Sequence, residues 1–134
     1  MTPQELVARA LAARENAYAP YSGFMVGAAL LTTGGDVYTG CNVENSSFGL
    51  TVCAERIALF NAVSRGKRSF AALAVVADTK DYISPCGACR QVLVEFGGAT
   101  RVYLANCYGD FRETTVSALL PLAFVLDLPA DKSG

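Results

Sequence analysis

Two short stretches carry side chains whose types and spacing suit chemistry at a metal ion. The first is Pro85-Cys86-Gly87-Ala88-Cys89. Ser84 can cap a helix that begins at Pro85, which puts Cys86 in the first turn and Cys89 three residues on along the same face. Both sulfurs then reach one ion, and the positive helix end favours the thiolate that binds it. The second stretch is Thr51-Val52-Cys53-Ala54-Glu55-Arg56, where Thr51 is the expected cap and Cys53 falls in the first turn. A third thiolate thus stands at a second helix start, with Glu55 beside it. Three thiolates leave one corner of a zinc tetrahedron open for water, the pattern of a catalytic site, and Glu55 is placed to be a carboxylate that does not bind the ion.

Other readings of these residues remain open at this level. A Cys-x-x-Cys pair also serves thiol redox chemistry, although that use leaves the third Cys and the acid unexplained. A closed four-Cys zinc would recruit Cys41 or Cys107, which otherwise read as buried free thiols at strand edges. Arg56 and Arg90 each follow a candidate ligand and can offset thiolate charge or pair with a surface carboxylate. Asn42 and Glu44 flank Val43 in an extended segment and project to one side, where a carboxamide and a carboxylate can bracket a sugar hydroxyl or simply solvate a turn. Phe24 and Phe124 are ordinary core candidates unless a flat ring has to be sandwiched.

The composition narrows the chemistry further. The chain has 134 residues and no His, so Ser/His/Asp triads, Cys/His dyads and imidazole-ligated zinc are excluded. Eleven Lys and Arg against 12 Asp and Glu give a net charge of −1, which offers no basic field for a phosphate backbone. Five Cys, an odd number, and an N-terminus without the marks of a secretory signal point to a reducing cytoplasm. The longest apolar run, Phe70 to Ala77, is strand-sized and far below the roughly 18 residues of a membrane helix.

The elements that must position these residues follow from periodicity. Thr2 and Pro3 open a first helix over Pro3 to Arg14. Phe24 to Thr32 and Asp36 to Asn42 flank Gly34-Gly35 as a hairpin. Val52 to Arg65 is a second helix, Phe70 to Ala77 a central strand, and Pro85 to Phe96 a third helix closed by Gly97-Gly98. Arg101 to Ala105 and Phe111 to Thr114 are strands, and Thr115 to Leu120 is a short helix before Pro121. The order predicts one α/β domain over residues 1–134, a mixed sheet of five strands with helices on both faces, a three-layer α/β/α sandwich.

Cys53-Ala54-Glu55 with Pro85-Cys86-Gly87-Ala88-Cys89-Arg90-Gln91 resembles the signature of zinc nucleoside and base deaminases, Cys-ligated with a Glu that is not a ligand. Tyr18-Ala19-Pro20-Tyr21-Ser22, Phe24-Met25-Val26-Gly27-Ala28-Ala29, Asn42-Val43-Glu44-Asn45 and Leu119-Leu120-Pro121 are similar to the small homotetrameric cytidine deaminases, from about Glu5 to Phe124. The resemblance implies the cytidine deaminase fold and hydrolysis of cytidine and 2′-deoxycytidine in pyrimidine salvage. By matched position it implies one Zn²⁺ per chain on Cys53, Cys86 and Cys89, with Glu55 as proton shuttle. Phe24, Asn42, Val43, Glu44, Ala54 and Phe124 match substrate contacts; Asn42 and Glu44 take the ribose 3′-hydroxyl, and a neighbouring subunit lends Phe124. Arg56 and Arg90 match donors to the thiolates. The implied partners are a small nucleoside and three further copies of the chain, with no nucleic acid and no membrane. A blasticidin-type or guanine-type deaminase would share the zinc motif but not the Asn42/Glu44 pair. Phe48 departs from the Tyr of many relatives and removes a hydroxyl near the substrate 5′ end.

Overall fold

A computed structural model describes residues 1–126. Helix α1 (Pro3–Arg14) starts with the Thr2 cap, and Glu5 closes a reciprocal capping box. Strands β1 (Val26–Thr32) and β2 (Val37–Cys41) form the expected hairpin. Gly35 supplies the positive φ of 98° that its turn requires. Helix α2 (Ala54–Ser64) stops at Arg65 and Gly66, and β3 (Phe70–Ala77) follows. Helix α3 (Gly87–Val94) crosses to β4 (Arg101–Ala105), then come β5 (Phe111–Thr115) and the single turn α4 (Val116–Leu119).

The five strands form one mixed sheet in the order β2-β1-β3-β4-β5. Only β3 and β4 run parallel, joined through α3 as a crossover; the other neighbours are antiparallel. Both faces of the central strands are buried, so their sequences read as continuous apolar runs. Leu6, Val7 and Ala10 of α1 cover one face through Ala29, Ala74 and Val76. Ala54, Ala58, Leu59 and Ala62 of α2 and Leu93 of α3 cover the other through Ala28, Leu30, Leu73 and Val75. This is the three-layer α/β/α arrangement. Among the described residues, no helix is long and apolar enough to cross a membrane.

The structure shortens several expected elements. Phe24 lies outside β1, because its carbonyl and the Val26 amide are engaged by the Asn42 side chain, and it is exposed instead of joining the core. Helices α2 and α3 begin after Cys53 and Cys86, which are themselves the extended N-cap residues. Thr51 and Ser84 do not cap: the Thr51 hydroxyl accepts from the Asn45 amide, and the Ser84 hydroxyl accepts from Arg90.

Gly40 brings α2 onto the sheet edge. A Cβ there would stand 2.5 Å from the Ala58 nitrogen and 2.6 Å from the Ala54 carbonyl oxygen, both backbone atoms of the first turns of α2. Backbone cannot yield as a side chain can. Gly40→Ala is therefore expected to cost about 1–3 kcal/mol and to displace the helix start that carries Cys53 and Glu55. Thermal denaturation together with zinc content checks it; an unchanged melting temperature would mean that α2 docks without this close approach.

Candidate active site

Helices α2 and α3 lie on the same face of the sheet, and their N-termini converge. Cys53 Sγ and Cys86 Sγ are 3.7 Å apart, and the three sulfurs of Cys53, Cys86 and Cys89 lie within 4.8 Å of one another. A disulfide needs about 2.05 Å. Two thiolates on one tetrahedral zinc, each at about 2.3 Å, stand about 3.7 Å apart. The donor set therefore fits a soft divalent ion with three sulfur ligands. No fourth His, Cys, Asp or Glu joins the cluster among the described residues, so Cys41 and Cys107 stay outside it.

Local structure prepares the thiols for metal. The Cys89 amide donates to Cys86 Sγ at 3.4 Å, so the sulfur acts as the cap acceptor of α3. Arg56 Nη2 donates to Cys53 Sγ at 3.5 Å. Hydrogen bonds from Cys89 and then Arg56 outweigh burial and pull the Cys53 thiol down to about 5. Cys89 moves the opposite way, its proton held by the bond to Cys53 and by burial. A divalent cation favours the thiolate form of the sulfurs that bind it.

Glu55 sits in the first turn of α2 and is only 4% exposed. Burial pushes its carboxyl up to about 6, with the Cys53 thiolate adding repulsion. A carboxylate so placed is poised to exchange protons near neutral pH. It lines a cavity of about 380 Å³ together with Cys53, Cys86, Asn42, Phe24 and Ala54. That volume suits a small molecule. Thr51, Ile83 and Ser84 also line it and were not singled out from the sequence, because a lone Thr, Ile or Ser in a loop carries no pattern.

The remaining candidates separate. The Asn42 side chain is tied to backbone, its Oδ1 accepting from the Val26 amide at 2.9 Å and its Nδ2 donating to the Phe24 carbonyl at 2.7 Å. Glu44 faces an adjoining hollow with Tyr21, Ser22 and Phe48, and the two hollows share Thr51. The amides of Tyr21 and Ser22 and the Ser22 hydroxyl donate to the Glu44 carboxylate and hold its pKa down. Asn42 thus lines the main cavity and Glu44 the adjoining hollow, on either side of Val43, which bridges to Tyr18 and Val52. Val43 is partly exposed and does not line the main cavity.

Arg90 departs from expectation: its recorded donors reach the Pro85 carbonyl, the Leu119 carbonyl and the Ser84 hydroxyl instead of a thiolate. Its donors thus go to the residues before Cys86 and to the end of α4. Phe124 is 69% exposed and lies outside the lining of its own chain's cavity.

Comparison with known proteins places this arrangement. Residues 1–106 match the family model for the cytidine and deoxycytidylate deaminase zinc-binding region. A cytidine deaminase of Sporosarcina psychrophila is 60% identical over 125 residues, covering 92% of each chain. One of Halalkalibacterium halodurans is 58% identical over 128 residues, 95% of this chain and 97% of that one. The crystal structure of a cytidine deaminase from Burkholderia pseudomallei superposes with a TM-score of 0.90 at 57% identity, over 92% of this chain and 100% of the other. Matches that run nearly end to end, and that include both Cys-bearing helix starts, leave one assignment for the three-sulfur pocket and its buried acid: the chain belongs to the zinc-binding cytidine deaminase family.

Proposed function

We propose that the chain hydrolyses cytidine and 2′-deoxycytidine to uridine and 2′-deoxyuridine with release of ammonia, as a cytoplasmic enzyme of pyrimidine salvage. The observation that carries this reading is the buried Glu55 opening on the same small cavity as two of three clustered sulfurs. Cys53, Cys86 and Cys89 bind one zinc per chain, which when bound acidifies water and so supplies a nucleophile near neutral pH. Glu55 accepts the proton that water gives up as its oxygen adds to C4 of the ring. The same carboxylate returns that proton to N3, and C4 becomes tetrahedral. The proton of the new C4 hydroxyl then passes through Glu55 to the amino nitrogen; C4=O forms as the C4–N4 bond breaks, and ammonia leaves. Arg56 offsets thiolate charge at Cys53.

Asn42 fixes the backbone on either side of Met25 and so sets the Phe24 ring at the cavity wall, while Ala54 gives the base a close approach at the start of α2. Glu44, kept ionised by its donors, is the acceptor for a ribose hydroxyl at the sugar end. Substrate is the free nucleoside, not a polynucleotide. Absorbance assays on cytidine, 2′-deoxycytidine and free cytosine test this: both nucleosides should turn over and cytosine should be a poor substrate. Cytosine handled as well as cytidine would remove the sugar-binding role.

The enzyme is a homotetramer whose sites are shared. Leu122, Phe124, Val125 and Leu126 are all exposed in the single chain, and association covers such a patch. Phe124 then stacks on a base held by another chain. Co-expressing Glu55→Gln and Phe124→Ala chains should regenerate intact sites in mixed tetramers. Activity per Glu55-containing chain is expected to exceed that of Phe124→Ala alone, and no gain would place Phe124 outside a neighbour's site.

A further inference from the structure

Arg90 and Gln91 follow Cys89 directly in α3, and their side chains donate to backbone carbonyls and to a hydroxyl. Arg90 donates from Nε to the Pro85 carbonyl at 2.8 Å and from Nη2 to the Ser84 hydroxyl at 2.7 Å, holding the two residues that precede Cys86. From Nη1 it donates to the Leu119 carbonyl at 2.6 Å. Gln91 Nε2 donates to the Phe124 carbonyl at 2.8 Å. The last two bonds grip both ends of the stretch from Leu119 to Phe124.

Leu119 also packs on the core and the Leu120 amide donates to the Val116 carbonyl at 3.1 Å, but the residues beyond Leu120 have little else to fix their shape. The first residue of the stretch, Leu119, ends the single turn of α4; from Leu120 onward it has no helix or strand, and Leu122 is fully exposed. Leu122 also holds a positive φ of 55°, the sole non-glycine to do so among the described residues. A side chain adopts that conformation only at a cost, and it persists where the flanking structure over-determines it. Here the flanks are determined from α3.

We propose that Arg90 and Gln91 are positioning residues that brace the Leu119-to-Phe124 segment against the metal-bearing end of α3 and so set where the Phe124 ring stands relative to the cysteine cluster. The inference rests on the reading of Phe124 as a ring lent to a neighbouring site. Gln91 is the separable half of the brace, because Arg90 also holds the approach to Cys86 and its loss would disturb the metal as well.

Gln91→Leu removes the donor, and Gln91→Glu removes it while keeping the shape. Each should retain full zinc and raise the KM for cytidine about tenfold, the scale of one lost hydrogen bond, with kcat little changed. In a Phe124→Ala background the same changes should add nothing. A readout independent of activity is available because the chain has no Trp. Phe124→Trp installs a sole indole whose fluorescence anisotropy should fall when Gln91→Leu is added at unchanged zinc content. An anisotropy that stays level, or a KM effect that persists in full without Phe124, overturns the brace. If Phe124→Ala leaves cytidine turnover intact, the lent ring fails instead, and the anisotropy decides the brace by itself.

Discussion

Glu55→Gln should keep its zinc and its fold and lose at least the roughly 10²- to 10⁴-fold in kcat that a positioned general acid–base supplies. Gln preserves the shape of a side chain that is 4% exposed, so no cavity opens and no packing is lost. What disappears is the ability to take a proton from water and deliver it first to N3 and then to the leaving nitrogen. The carboxamide does neither. The KM should change far less than kcat, because the missing step lies after binding. Steady-state kinetics on zinc-loaded protein make the comparison, and near-normal turnover would remove Glu55 from the chemistry.

Cys89→Ser is expected to abolish zinc binding and activity together and to lower the melting temperature. Cys89 is fully buried, and among the described residues no fourth Cys joins the cluster to replace it. A ligand present at about a thousand times its Kd stabilises the folded state by about 4 kcal/mol. Losing that from a domain of this size lowers the melting temperature on the order of 10 °C. Cys41→Ser and Cys107→Ser should leave zinc content at one per chain, since neither sulfur belongs to the cluster. Metal analysis and thermal denaturation of the unaltered protein and these three variants would reverse the ligand assignment if Cys41→Ser lost zinc while Cys89→Ser kept it.

The elements that hold this site were largely legible before the structure. Continuous apolar runs and period-3.6 stripes locate β3, β4 and α1 to the residue, because burial on both sheet faces and a capping box leave strong local signals. The starts of α2 and α3 lie two residues later than the sequence suggests, at Ala54 and Gly87 instead of Val52 and Pro85. Thr51 and Ser84 have the right chemistry for a cap, but tertiary contacts with Asn45 and Arg90 claim their hydroxyls, and the cysteines take the cap positions. The three clustered sulfurs and Glu55 were readable because thiolates at helix starts form a pattern in one dimension. The partners of Asn42, Glu44 and Arg90 were not. Each is chosen by a backbone group 16 to 29 residues away, such as Val26, Ser22 and Leu119, and sequence spacing does not record which carbonyl or amide lies at hand.

The most direct test of hydrolytic deamination is turnover of cytidine in water enriched in ¹⁸O, with product masses and ammonia measured on zinc-loaded protein. Water addition at C4 predicts one ¹⁸O in the pyrimidine ring of each uridine formed and one ammonia released per uridine. Uridine without the label, or folded protein with one zinc per chain that leaves cytidine unchanged, would contradict it.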